Sequence, residues 1–230
     1  MAVYSTRYRY IFFANPQTAS KAVARTLLES LEGQPMPERE IRAEDGAILV
    51  KKHHATWRDL QEHGLMTRAQ LDGLFKFTCV RNPYDLLVSR YLKRKGRFTA
   101  DPTRYRWAQD NARVHASMDA AQSMGFPEWV GRELQRHRDK GTTVKGPLEY
   151  LDHADFIIRF EALQPGFDEV LRRLGVEHTV PIVSENVTSE RAADAGARRH
   201  YASYYDDDSR GWVARAYAPV IERFGYRFEG

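Results

Sequence analysis

Cysteine is almost missing from this 230-residue chain: Cys79 stands alone. One thiol can neither close an intramolecular disulfide nor furnish a cysteine-based metal site. Long apolar runs are missing as well. The opening stretch MAVYSTRYRYIFFANP carries Arg and Asn among its apolar residues, so neither a signal peptide nor a membrane span is read, and a cytoplasmic protein is expected. Aromatic–glycine RNA motifs and zinc-finger spacings are absent. A surplus of 35 Lys and Arg over 31 Asp and Glu leaves a formal charge of only +4. The basic residues are scattered: Arg7, Arg9, Lys51, Lys52, Arg90, Lys93, Arg94, Lys95, Arg97, Arg198 and Arg199. So modest a field suits an anionic small molecule or glycan better than duplex DNA, and no nucleic-acid partner is expected.

What is present is ordinary globular material, 42% hydrophobic and 29% charged, in a length that fits one domain able to bury about 70% of its unfolded surface. Residues 7–14 (RYRYIFFA) form an aromatic and β-branched run that stops at Asn15-Pro16, as a buried strand ending in a turn does. In residues 20–31, Val23, Leu27, Leu28 and Leu31 recur at helical spacing, with Ser20 as the expected N-cap. Further strands are expected at 47–54, 74–80 and 155–160. Thr56 with Asp59 forms a capping box for a helix at 57–63, and Thr67 with Gln70 opens another. Residues 83–95 read as a helix with Pro83 in its first turn, 164–174 as a helix ending at Gly175, and 208–224 as a helix bent by Pro219. The Asp206, Asp207 and Asp208 run complements that helix's N-terminus. Residues 97–147 are polar, with helical stretches near 108–123 and 127–138, and read as a helical insertion or lid. Strands alternating with helices imply an α/β fold: a central parallel sheet with helices on both faces, in a single domain.

Ligands of such sheets sit beyond the strand C-termini. Three expected strands end in chemically loaded sequence: Asn15–Ser20, His53–His54 and Arg81–Asn82. The first loop, residues 15–21, reads Asn-Pro-Gln-Thr-Ala-Ser-Lys and contains no glycine. The Walker pattern is therefore absent, which disfavours an ordinary nucleoside triphosphatase. A helix N-terminus there offers N–H groups and about half a positive charge to a phosphate or sulfate. Thr18 and Ser20 add hydroxyls, and Ala19 is small enough for an anion to approach. Arg81 stands where a buried strand ends, with Ser89 two turns into the next helix. Arginine grips phosphate in a fixed geometry; the plain alternative is an Arg81–carboxylate pair and a packed Ser89.

Pro-Gln-Thr-Ala-Ser from Pro16, with Arg-Asn-Pro and Ser89-x-Tyr91 from Arg81, resembles the two donor-binding signatures of the sulfotransferases that use 3′-phosphoadenosine-5′-phosphosulfate (PAPS). The likeness is to bacterial and carbohydrate enzymes of the heparan sulfate 2-O-sulfotransferase type. It extends to His-Ala-Thr at 54–56, Arg-Phe-Glu-x-Leu at 159–163, Asn-Val-Thr at 186–188, Tyr-Tyr-Asp-Asp at 204–207 and Phe-Gly-Tyr-x-Phe at 224–228. The resemblance implies a P-loop-type sheet and sulfuryl transfer from PAPS to a hydroxyl-bearing acceptor, possibly a glycan. Gln17, Thr18, Ala19, Ser20 and Lys21 would hold the 5′ side, and Arg81 with Ser89 the 3′-phosphate. His-Ala-Thr marks His54, rather than His53, as general base. On a strand the two would face opposite sides, and no third ligand accompanies them, so no metal is expected. Asn186 and Thr188 could line the pocket, while Trp107 and Trp129 are expected to pack rather than stack on a sugar. Two departures from the family pattern stand out. Leu86 replaces a common arginine. Gln17 replaces the lysine that stabilises the bridging oxygen, which leaves Lys21, or Lys51 or Lys52, to supply the cation. Three readings follow: an active sulfotransferase, a PAPS-binding protein with impaired turnover, and a P-loop kinase.

Overall fold

Tyr10–Phe13 (β2) is a four-residue strand with every side chain buried. Period-two alternation sends its residues to two different cores. Tyr10 and Phe12 join a cluster with Phe77, Cys79 and Ile158 of the sheet and Val23, Leu27, Phe167 and Val170 of helices. Ile11 and Phe13 join Ala2, Val50, Trp57, Leu60, Leu71 and Tyr150. Both faces are therefore covered, as the sequence led us to expect.

The computed structural model describes residues 2–103, 105–183 and 199–229; Asn186, Thr188 and Arg198 lie outside the described residues. Two compact units arise, residues 1–81 with 145–186, and residues 82–144 with 187–230. The first carries the sheet. Its order is β3 (Gln34–Met36), β1 (Ala2–Ser5), β2, β6 (Phe75–Val80) and β7 (Phe156–Arg159). β2, β6 and β7 run parallel, with Phe12 opposite Phe77 and Val80 opposite Arg159. β1 is antiparallel to both β2 and β3. The expected central parallel sheet is present in β2, β6 and β7, and the sequence reading missed its extension by β1 and β3 on one edge. β1 is too short for a clear periodic signal, and β3 contains Pro35, which ordinarily argues against a strand. Pairing with β1 makes it one.

Helix α1 (Ser20–Ser30) and helix α11 (Leu163–Arg173) contribute to the first core. Helices α2 (Trp57–Glu62), α3 (Arg68–Asp72) and α10 (Leu148–Leu151) contribute to the second. Both expected capping boxes form, Thr56 with Asp59 and Thr67 with Gln70. Ser20 is not the N-cap of α1: Ala19 occupies that position in a left-handed conformation, and Ser20 begins the helix. The strand expected at 47–54 shrinks to β5 (Ile48–Val50), which pairs only with β4 (Ile41–Arg42) outside the central sheet. The apolar run misled because Ile48 and Leu49 point outward, at 41% and 46% exposure; Val50 alone is buried.

The second unit is helical, and among its described residues no strand occurs. Helix α4 (Pro83–Leu92) is capped by the Asn82 side chain, which accepts from Tyr84 N at 3.1 Å. It runs on into a π-helical turn, Lys93–Arg97, and a short helix, Phe98–Ala100 (α5). Helices α6 (Arg106–Asp110), α7 (Ala112–Ser123), α8 (Phe126–Glu133) and α9 (Gln135–Lys140) follow. The second unit thus takes in both the expected helix at 83–95 and the expected helical stretch from 97 as far as 144. Trp129 is fully buried and donates to Ser117 O at 3.1 Å, whereas Trp107, expected to pack, is 56% exposed. At the C-terminus Pro219 divides rather than bends the expected helix: Asp207–Ala216 stops at Tyr217, and Ala218–Phe224 begins anew. Asp206 caps the former, and Asp207 and Asp208 fill its first turn.

Gly33 marks the tightest passage in the first unit. A Cβ there would lie 2.7 Å from both Leu27 O and Val3 Cγ1, and a backbone carbonyl cannot swing aside. Gly33→Ala is expected to cost about 1–3 kcal/mol, seen as a lower denaturation midpoint at unchanged slope.

Candidate active site

The phosphate-type loop leaves the C-terminal end of β2 and is folded by Asn15. The buried Asn15 side chain donates through Nδ2 to Cys79 O at 2.9 Å, fastening the loop to the end of β6. Its own carbonyl accepts Thr18 Oγ1 at 2.8 Å and Ser20 Oγ at 2.6 Å. Thr78 adds a second tie, Oγ1 to Phe13 O at 2.7 Å. Within this frame Gln17 (φ 67°) and Ala19 (φ 60°) both take left-handed backbone conformations. Non-glycine residues there cost on the order of 1 kcal/mol each, and such strain clusters at functional sites. Alternating hands turn successive N–H groups toward a common centre, which is how a glycine-free chain can form an anion-binding concavity. The first helical bond, Ala22 N to Ala19 O at 2.9 Å, places Thr18–Lys21 at the start of α1.

Arg81 follows β6 directly. It is only 5% exposed, and its Nη1 donates to Gln17 O at 3.3 Å. The guanidinium carbon lies 4.0 Å from the centre of the Phe160 ring, and Phe160 follows β7. The structure thus joins three strand ends that sequence separates by 64 residues and more: the loop, Arg81 and Phe160. Ser89 is buried on α4 in the second unit, and among the described residues its hydroxyl meets no hydrogen-bond partner.

The histidines are not on a strand. His53 and His54 lie in the loop after β5, so the alternation that was to separate them does not apply. The Ala14 backbone at the base of the loop acts on the His54 ring in the direction that raises its pKa, and Tyr150 OH donates to His54 O at 3.0 Å. Desolvation is the main force that lowers the His54 pKa to about 4, with the adjacent His53 acting in the same direction. The residue keeps an open, solvent-facing side, so the shift marks one crowded flank rather than deep burial. The His53 pKa is lowered as well, by desolvation first and by Lys52 and Lys21 among the charges. His53 therefore shares its field with Lys21, which is exposed at the start of α1.

Against this geometry the comparison with known families is decisive. The Sulfotransferase family model matches residues 3–227. The chain belongs to the sulfotransferase family. No match was found among the curated proteins or the solved structures. Membership brings transferase activity on sulfuryl groups, and the mixed α/β sheet with its parallel strands fits that family. Among the described residues, no group of three or more His, Cys, Asp or Glu side chains is placed to hold a metal ion.

Several of the sulfotransferase's site residues escaped the sequence reading. Asn15 reads in sequence as a turn residue, yet it organises the loop; Phe160 reads only as part of a motif, yet it seats Arg81. Tyr150 carried no signal at all. Cys79 lies beneath the loop, fully buried, and desolvation pushes its thiol well above the ordinary range despite a hydrogen bond with Thr18, so it is inert. Arg159 and Glu161 are exposed.

Loop strain can be measured. Ala19→Gly exchanges a left-handed alanine for a residue that tolerates that region, gaining about 1–2 kcal/mol while losing roughly 0.5–1 kcal/mol of chain entropy. Stability is expected to hold or rise by up to about 1.5 kcal/mol. Ala24→Gly, inside α1, is expected to lose about 1 kcal/mol or more. Urea denaturation of both variants separates the two cases.

Proposed function

We propose that this sulfotransferase moves a sulfuryl group from PAPS to an acceptor hydroxyl. The observation that carries the reading is the contact between its two motifs: Arg81 reaches the loop carbonyl of Gln17 while stacked on Phe160. A cation fixed on both flanks next to a helix N-terminus suits a donor with anionic groups at two ends. The loop and α1, with Gln17, Thr18, Ala19, Ser20 and Lys21, hold the 5′-phosphosulfate, and Arg81 takes the 3′-phosphate. In transfer, the acceptor oxygen forms a bond to sulfur as the bond from sulfur to the 5′-phosphate oxygen breaks, in line. 3′-Phosphoadenosine-5′-phosphate leaves, and positioning with electrostatics supplies most of the rate. His54 accepts the hydroxyl proton. A neutral imidazole at the loop's base is available for that at neutral pH.

Arg81→Ala is expected to weaken binding of 3′-phosphoadenosine-5′-phosphate on the order of 10–100-fold, the worth of a charge-assisted contact. Adenosine 5′-phosphosulfate, which lacks the 3′-phosphate, should lose little. Equal losses for the two nucleotides in calorimetry would refute the assignment, and a preference for ATP would return the kinase reading. Ser89→Ala, measured the same way, tests the second residue of that motif.

His54→Ala should lower kcat by about 10²–10⁴ with nucleotide affinity nearly unchanged. Because the folded-state pKa lies below 6.5, His54 stays neutral as pH falls past that value. The acid limb of kcat/KM is expected well below pH 6.5, toward pH 4, and to vanish from the residual activity of the variant. A limb at 6.5 or above would remove His54 from the role.

Gln17 favours one second reading, a donor-binding protein with slowed turnover, since one missing preorganised charge commonly costs on the order of 10²–10³ in rate. Gln17→Lys raises turnover by such a factor if the native loop is handicapped. If Lys21 already supplies the cation, Gln17→Lys changes little and Lys21→Ala abolishes transfer.

A further inference from the structure

In the hairpin β4–β5 the choice of amino acids conflicts with their surroundings. Among the described residues no strand lies on the side of β5 away from β4. That edge presents backbone N–H and C=O groups, a template for another strand. Native proteins usually guard such an edge with charge or proline. β5 instead carries Ile48 and Leu49, 41% and 46% exposed, and Ala47 before them is exposed too. An open edge lined by apolar residues is surface that a partner would cover. Val50 belongs to the core of Trp57 and Leu60, and Ile41 opposite it packs against that core, so the hairpin is anchored at the end that leads into the histidine loop.

The charges around this stretch identify the cover. Glu44 and Asp45 precede it, Lys51 and Lys52 follow it, and all but the half-buried Lys52 are exposed. Among the described residues none of these four has an ion-pair partner, and Glu40, just before β4, is engaged by Arg42 at 2.8 Å. The segment is antisymmetric in charge about Ile48: Glu44 and Lys52 lie four residues to either side, Asp45 and Lys51 three. Laid antiparallel on a second copy with Ile48 opposite Ile48, it sets Glu44 beside the partner's Lys52 and Asp45 beside the partner's Lys51. Ala47 then meets the partner's Leu49. A two-fold axis makes each pairing twice, and opposite charges or apolar groups facing across strands stabilise the pair. Glu44 to Gly46 belong to the turn, so the charges meet as side chains beyond the ends of a short ladder. A parallel copy would set acid beside acid, and centring on Leu49 would move the lysines onto Gly46 and Ala47. An anionic membrane fits less well, because Glu44 and Asp45 in the hairpin turn would be repelled by it.

We infer that β5 is a self-complementary docking strand, which pairs antiparallel with β5 of a second copy of this chain to form a two-fold dimer. Such a contact is isologous and closes at two copies. The strand is short, and Leu49 has no residue opposite it on β4 because the register shifts there. The interface is therefore small and the dimer weak. The pairing draws on no residue that grips the donor in the loop or at Arg81, so it stands whether or not PAPS is the donor.

The test is sedimentation velocity on the full chain across a concentration series. The weight-average mass is expected to rise with concentration toward that of two chains. Asp45 Oδ1 accepts from Ala47 N at 2.9 Å, and Glu44→Lys/Asp45→Asn keeps an acceptor there. This variant should stay monomeric, because like charges then face each other at both ends. Lys51→Glu/Lys52→Glu should do the same with the opposite sign. Mixed one to one, the two variants are expected to pair again, since each end then joins a cation to an anion. Ile48→Thr/Leu49→Thr keeps β-branched side chains but removes the apolar cover, and should weaken association on the order of tenfold. Glu177→Lys/Glu222→Gln makes the same charge change as the first variant at exposed positions elsewhere and should leave association unaltered. A wild-type chain that stays monomeric throughout, growth past two chains, charge variants that associate like wild type, or a mixture that fails to pair would each overturn the inference. So would a monomer that binds phosphatidylglycerol vesicles and loses them on Ile48→Thr/Leu49→Thr, since the apolar pair would then belong to a membrane.

Discussion

Everything chemical in the first unit hangs on Asn15. Its side-chain amide spends a proton on the Cys79 carbonyl, while its backbone carbonyl collects the hydroxyls of Thr18 and Ser20. One residue thereby ties the loop to the neighbouring strand and folds the loop onto itself. This explains how the chain makes a phosphate-type turn without glycine. Left-handed Gln17 and Ala19 cost on the order of 1 kcal/mol each, and buried hydrogen bonds return about 1 kcal/mol apiece. The two sums are comparable, so the turn persists only because all of its ties are made together. In this state the hydroxyls of Thr18 and Ser20 both donate inward to the Asn15 carbonyl.

The charges obey the same economy of placement. Burying a guanidinium is costly unless its donors find partners, and Arg81 has the Gln17 carbonyl on one side and the Phe160 face on the other. That arrangement holds the cation in a defined pose before any ligand arrives, so less ordering is left for binding to supply. The histidine loop works in the opposite sense. Desolvation first, and neighbouring positive groups after it, push both imidazole pKa values down. Lys21 adds to that field from the start of α1. A lysine ammonium and an imidazole held away from its charged form are thus compatible neighbours within a few residues.

Much of this was legible in the order of residues because burial and periodicity are local. Tyr10–Phe13, Phe75–Val80 and Phe156–Arg159 are short apolar runs bounded by turns, and each is a parallel strand. Thr56–Asp59 and Thr67–Gln70 name their own helix starts. The failures have one cause in common: partners distant in sequence decide them. Gln34–Met36 is a strand only because β1 lies beside it, and Ile48 and Leu49 face outward only because the hairpin found no sheet to join. In the site, Arg81 and the loop could be read from their motifs, yet Phe160 and Asn15 show their roles only when three strand ends meet. Trp107 and Trp129 make the same point, since nothing in their sequence neighbourhoods separates an exposed indole from one at the centre of a core.

The mixed sheet accounts for where the chemistry is. Only parallel strands bring their C-termini to a common edge, and ligands of such sheets gather there. β2 ends at the loop of Asn15, β6 at Arg81 and β7 at Phe160, and each of those residues touches one of the other two segments. β1 and β3 extend the sheet in the other direction. β1 runs antiparallel to β2, so its C-terminus points to the opposite edge, and neither strand contributes a side chain to the site. β1 covers the free edge of β2, the strand on which the loop depends, and β3 in turn covers β1. A change in β1 would therefore reach the chemistry through the position of Phe13 and the Asn15 turn, without any contact of its own. The parallel core supplies the site, and the antiparallel edge holds that core in register.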